Sequence, residues 1–133
     1  MRDRHLGAVC DEYLDRARRH LPVEVVEVDN DEGLLRRIPA GAAGVEIVAL
    51  EPGGEAWDTA RLTAHVERGM VHGQRQLVFL IGGSDGLPAA AVARATRRLS
   101  LSPLTLPHRL ARVLLAEQIY RALSIIKGEP YSR

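Results

Sequence analysis

The second half of the chain reads strand, glycine turn, helix, strand, proline turn, long helix, and this order restricts the fold more than any other feature. Leu77 to Ile81 is an apolar run without alternation, the pattern of a strand buried on both faces. The turn Gly82-Gly83-Ser84-Asp85-Gly86 follows it, and Pro88 opens an alanine-rich helix predicted to run to about Arg98. Leu99 to Leu106 reads as a short strand and turn, and Pro107 starts a helix that Gly128 ends. Strands alternating with helices predict a mainly parallel α/β sheet. In such a sheet, turns after neighbouring strands lie at one edge, where their backbone amides and carbonyls can form a pocket for a small polar ligand.

The first half extends the same pattern. Val9, Cys10, Tyr13, Leu14, Ala17 and Leu21 recur at helical spacing before Pro22. Val23 to Val28 reads as a strand, Asp31 to Ile38 as a short helix, and Val45 to Leu50 as a strand ended by Pro52-Gly53-Gly54. Asp58 is placed to cap a helix through Leu62, Val66 and Met70. The last helix carries two apolar stripes. Leu110, Val113 and Leu114 form one; Ala116, Ile119, Tyr120, Leu123 and Ile126 form the other. A surface helix needs only one stripe, so the second predicts a partner subunit. A helix sunk more deeply in its own core is the alternative.

The 133 residues suit a single domain, expected over 1–133. No apolar run is long enough to cross a bilayer, and no signal-peptide pattern opens the chain. One cysteine, Cys10, excludes an internal disulfide and agrees with a reducing, cytoplasmic setting. Net charge is +1, so no overall basic character marks a nucleic-acid binder. From Arg94 onward, however, Arg94, Arg97, Arg98, Arg109, Arg112, Arg121, Lys127 and Arg133 face only Glu117 and Glu129. Such a region can meet phosphates, or it can simply be a solvated surface.

Three chemistries were tested against the turns. Gly82-Gly83-Ser84-Asp85-Gly86 fits the G-x-S-x-G elbow of α/β-hydrolases. That chemistry needs an acid and then a histidine after the serine. Here only Asp85 lies between Ser84 and the single later histidine, His108. The turn also lacks the Lys-Ser/Thr ending of a P-loop and is not G-x-G-x-x-G. His5, His20, His65, His72 and His108 are scattered, which predicts no metal site.

Taken together, the segments resemble the RlmH family of the SPOUT methyltransferase superfamily. Those segments are Leu50 with Pro52-Gly53, Trp57-Asp58-Thr59, Ile81 to Leu87, Leu99 to Ser102, Leu104 to His108, Arg112-Val113, Glu117 to Ala122 and Gly128 to Tyr131. The resemblance implies a trefoil knot at the C-terminus, S-adenosylmethionine (AdoMet) as methyl donor, and a homodimer. It further implies methylation of N3 of a pseudouridine in the 23S large-subunit rRNA of the assembled ribosome. By position, it assigns the cofactor pocket to Leu50, Gly82, Leu101, Ser102, Pro103, Leu104, Thr105 and Leu106. It places His108, Tyr131 and Arg133 near the reacting base.

His108 is then a base or polar anchor, or a helix-start histidine bonded to its turn. Tyr131 orients the target base, or packs the tail. Arg133, with Arg109 and Arg112, holds phosphate or offsets developing negative charge. The chain departs from the family pattern in two places. Family members begin with a strand, whereas this chain begins almost at its first helix. Its tail reads Tyr131-Ser132-Arg133, where a histidine commonly follows the tyrosine. These departures leave open a dimeric binding protein that kept the fold and lost turnover, or a related enzyme with another RNA target.

Overall fold

The computed structural model describes residues 1–41 and 43–131. In chain order the elements are α1 (Arg4–Ala17), α2 (Asp31–Arg37), β1 (Val45–Ala56), α3 (Thr59–Val71), β2 (Gln76–Leu80), α4 (Ala89–Arg94), β3 (Arg97–Ser100) and α5 (His108–Ile126). The strands form one parallel sheet in the order β2-β1-β3. Val45 to Ala49 pair with Gln76 to Leu80 on one side of β1. On the other side, Val48 to Leu50 pair with Arg97 to Leu99. The chain therefore leaves β1 for one flank and crosses to the other, a strand-order reversal that opens a crevice at the carboxyl edge.

Helices α1, α2 and α3 start where a side chain satisfies their free amides, whereas α4 and α5 start after Pro88 and Pro107. Asp3 accepts from His5 and Leu6, Asn30 from Gly33, and Asp58 from Arg61, as expected for Asp58. Ile47 and Leu80 join Ile38 and Ala91 in a core under α2 and α4. Glu46 bonds His65 of α3 from the other face. Helix α5 packs on both α1 and α3. It buries Leu115, Ala116, Ala122, Leu123 and Ser124, so of the two stripes only Ala116 and Leu123, both in the second, are fully buried within the chain. Leu110, Leu114 and Ile125 stay exposed.

Four expected boundaries are corrected. Val23 to Val28 is not a strand and has no regular secondary structure. Its alternation places an acid on each face (Glu24, Glu27), so neither face is wholly apolar. Glu27 instead takes the N-terminal ammonium and Arg112. Strand β2 is an edge strand, with only Leu80 fully buried. Helix α4 stops at Arg94, not Arg98. Thr96 donates its amide and hydroxyl to the Ile47 carbonyl at 2.8 and 3.1 Å, drawing Arg97 and Arg98 into the sheet. Strand β1 continues past Pro52 because Glu51 to Gly54 loop out, after which Glu55 and Ala56 rejoin β3.

Candidate functional site

All three strands are parallel, so Leu50, the Gly82 turn and the turn from Leu101 to Leu106 leave the sheet at one edge. Leu50 belongs to the central strand, one step past the Ala49–Leu80 pair. The other two turns flank it.

After β2 the chain closes on itself. Gly86 donates to the Gly83 carbonyl at 3.0 Å and adopts φ 79°. Gly82 abuts this closure. A Cβ there would lie 2.4 Å from the Gly86 carbonyl carbon and 2.5 Å from the Leu87 nitrogen. Glycine at 82 is thus required by the turn itself, whereas a Cβ at Gly83 would meet open space. Ser84 is exposed at the tip, and among the described residues no histidine bonds to it, which removes the hydrolase geometry.

After β3 the chain is shaped by two serines. The Ser100 hydroxyl donates to the Ser102 carbonyl, and Ser102 Oγ accepts from the Leu104 amide, both at 2.9 Å. This leaves Leu104 standing out at 75% exposure, with Pro103 and Thr105 also exposed. Bare backbone on one turn and an unpacked apolar side chain on the other suit a nucleoside ligand, which needs amide edges and an apolar wall. In that respect the residues present fit AdoMet.

His108 begins α5 and is exposed; among the described residues its ring makes no hydrogen bond. The reading of it as bonded to its turn is therefore not what the structure shows. Tyr131 lies elsewhere. Its hydroxyl donates to Glu117 at 2.9 Å, and its ring meets Tyr120 edge-on at 4.6 Å. Glu117 is nine residues from His108 on α5, about 14 Å along the axis. The chain thus places His108 at the end of the 101–106 turn and Tyr131 near the middle of the helix. Arg133 and Ser132 lie outside the described residues. Arg112 is not simply solvated, since its Nη1 reaches Glu27 at 3.5 Å. Arg109 lies near enough to Asp3 to help hold that carboxyl below its ordinary range, after the larger effect of the Leu6 amide.

In the sequence Glu117 stands out only as one of two acids in the basic C-terminal region. It is in fact a half-buried carboxylate with several donors. The available signal was a carboxylate set on the apolar face of Leu110, Val113 and Leu114, three to seven residues on. Among the described residues, no helix is long and apolar enough to cross a membrane, and no cluster of three metal-ligating side chains occurs.

A parallel sheet with its turns gathered at the carboxyl edge defines a class of α/β proteins suited to nucleotide-like ligands. Residues 1–132 match the family described as "Predicted SPOUT methyltransferase", and the chain belongs to the SPOUT methyltransferase family. It is 44% identical over 137 residues to the ribosomal RNA large subunit methyltransferase H of Sorangium cellulosum, covering 99% of this chain and 92% of that protein. The protein of the same name from Alkalilimnicola ehrlichii is 43% identical, over 92% of this chain and 86% of its own. That from Solibacter usitatus is 41% identical, over 99% and 92%. The chain is a methyltransferase by family, as the resemblance implied.

Proposed function

We propose that this chain is an AdoMet-dependent methyltransferase acting on N3 of a pseudouridine in the 23S rRNA of the assembled ribosome. It works in the cytoplasm as a homodimer, each copy a single SPOUT domain over 1–133 with a C-terminal trefoil knot. The observation that carries the reading is the convergence of Leu50, the Gly82 turn and the 101–106 turn on one sheet edge. The names of the relatives supply the substrate.

Leu50, Leu101, Leu104 and Leu106 wall the cofactor. The backbones at Gly82, Ser102, Pro103 and Thr105 offer polar edges. AdoMet, when bound, supplies a methyl group as electrophile, so positioning contributes much of the rate. N3 must lose its proton as it gains the methyl, and His108 is the exposed base beside the turns. Burial, with the hydrogen bond to Glu117, raises the Tyr131 phenol above its ordinary range. Tyr131 therefore stays protonated and, with its one proton committed to the hydrogen bond with Glu117, meets the target base through its ring rather than acting as a base. Arg133 offsets negative charge on the base. Because one protomer holds Tyr131 away from His108, a second copy brings a tail to the site.

Calorimetry should show AdoMet binding, and ribosomes lacking the modification should gain one methyl by mass spectrometry. Gly82→Arg should abolish binding. Leu104→Asp, which alters an exposed side chain and spares the turn, should weaken it about tenfold. His108→Asn should lower kcat by about 100-fold. Unchanged AdoMet affinity in Leu104→Asp would move the pocket elsewhere, and binding without methyl gain would favour the inactive alternative.

A further inference from the structure

The hydrogen bond from Tyr131 to Glu117 is one part of a larger network on α5. Glu117 Oε2 accepts from Arg121 Nε at 2.9 Å, from Arg121 Nη2 at 2.7 Å and from the Tyr131 hydroxyl at 2.9 Å. Its Oε1 accepts from Gln118 Nε2 at 2.8 Å. Gln118 Oε1 accepts in turn from the Thr59 hydroxyl at 2.7 Å. Thr59 opens α3, directly after the loop that leaves β1. The network therefore joins the β1–α3 connection to the tail through the middle of α5. The Arg121 guanidinium also lies over the Tyr131 ring, 4.6 Å from its centre.

An i,i+4 ion pair on a helix surface needs no further donors and stabilises little. Here the carboxylate side chain is only 15% exposed and takes a third residue from beyond the helix end. The tail is also turned back by hydrogen bonds after Gly128 and by the His20–Glu129 contact at 2.9 Å. Of these contacts, only Glu117 grips the Tyr131 side chain with a charge-assisted bond.

We propose that Glu117 is a positioning residue for methyl transfer: steered by Arg121 and Gln118, its carboxylate holds the Tyr131 hydroxyl and sets the tail. The proposal rests on the methyltransferase reading. The ionisation states agree with it. Burial pushes the Glu117 carboxyl up, but hydrogen bonds from Arg121 and Tyr131 outweigh it and leave the group below its ordinary value. The carboxylate is charged and the phenol neutral throughout the neutral range.

The test uses the full chain with Glu117→Gln, Tyr131→Phe and the double variant. Thermal melts check folding. If Glu117→Gln does not fold, Tyr131→Phe, which removes a single oxygen, carries the test. We expect Glu117→Gln to leave AdoMet affinity within about twofold but to lower kcat on ribosomes about tenfold or more, as misplacement does. KM should change less. The late-ionising phenol in an ultraviolet alkaline titration should move down toward ordinary tyrosine. The double variant should be no slower than the worse single one, because both remove one contact. A folded Glu117→Gln with kcat near the parent's, or single effects that multiply, overturns the proposal. If the parent methylates no ribosome, the functional reading fails by itself. The phenol titration then decides separately, and an unmoved midpoint overturns the grip on Tyr131.

Discussion

Gly54 shows how much a single residue can carry. A Cβ there would lie 2.7 Å from the Arg98 carbonyl carbon and from the Leu99 nitrogen, both backbone atoms of β3. The looped-out segment after Leu50 rests directly on that strand. Backbone cannot yield as a flexible side chain can, so Gly54→Ala should destabilise the protein by about 1–3 kcal/mol in denaturant unfolding. It should also disturb Leu50, the central wall of the proposed pocket. Pro52-Gly53-Gly54 reads in sequence as the end of a strand. Nothing in those residues announces that Glu55 and Ala56 return to the same ladder, because the return depends on where β3 lies.

Among the elements, α5 and the tail that folds onto it are the most informative. Sequence marked the helix by its apolar stripes, its proline start and its glycine stop, and the structure agrees to within a residue or two. What was illegible is that its charged residues are functional in packing, since Glu117 and Tyr131 are 14 residues apart and meet only by tail reversal. The contact has a pH signature. The Glu117 carboxyl lies below its ordinary 4.5, so its stabilisation is present above that pH and is lost as pH falls through the folded value. The Tyr131 phenol lies above its ordinary 10.0, so its stabilisation is full below that pH and is lost as pH rises through the folded value. The stability difference between the parent and Tyr131→Phe should therefore be flat from about pH 5 to about pH 9 and shrink outside that window. Unfolding by denaturant across pH measures it; a difference that grows outside the window would place the hydroxyl in some other contact.

At the scale of the whole molecule, helix α5 leaves Leu110 at 41% and Leu114 at 43% exposure, four residues apart on one face. With His108 at one end of the helix and Tyr131 held near its middle, this face is where a second copy would complete the site. Leu114→Asp should then halve the sedimenting mass and remove methyl transfer. The protomer should still fold, because the side chain is already exposed. A parent chain that sediments as a monomer would end the shared-site reading.

Sequence by itself determined most of the alternation of strands and helices, the Asp58 cap and the two turns that follow β2 and β3, because these follow from local periodicity and from residues acting within a few positions. It also carried the family resemblance, since that lies in short segments kept in order. Only the tertiary structure decided that Val23 to Val28 stays out of the sheet, that Arg97 and Arg98 belong to a strand rather than a helix, and that β1 resumes after its loop. Only it brought Thr59, Gln118, Glu117 and Tyr131 into one chain of hydrogen bonds. Strand pairing and long-range polar contacts depend on which partner arrives in space, and no local pattern encodes that arrival.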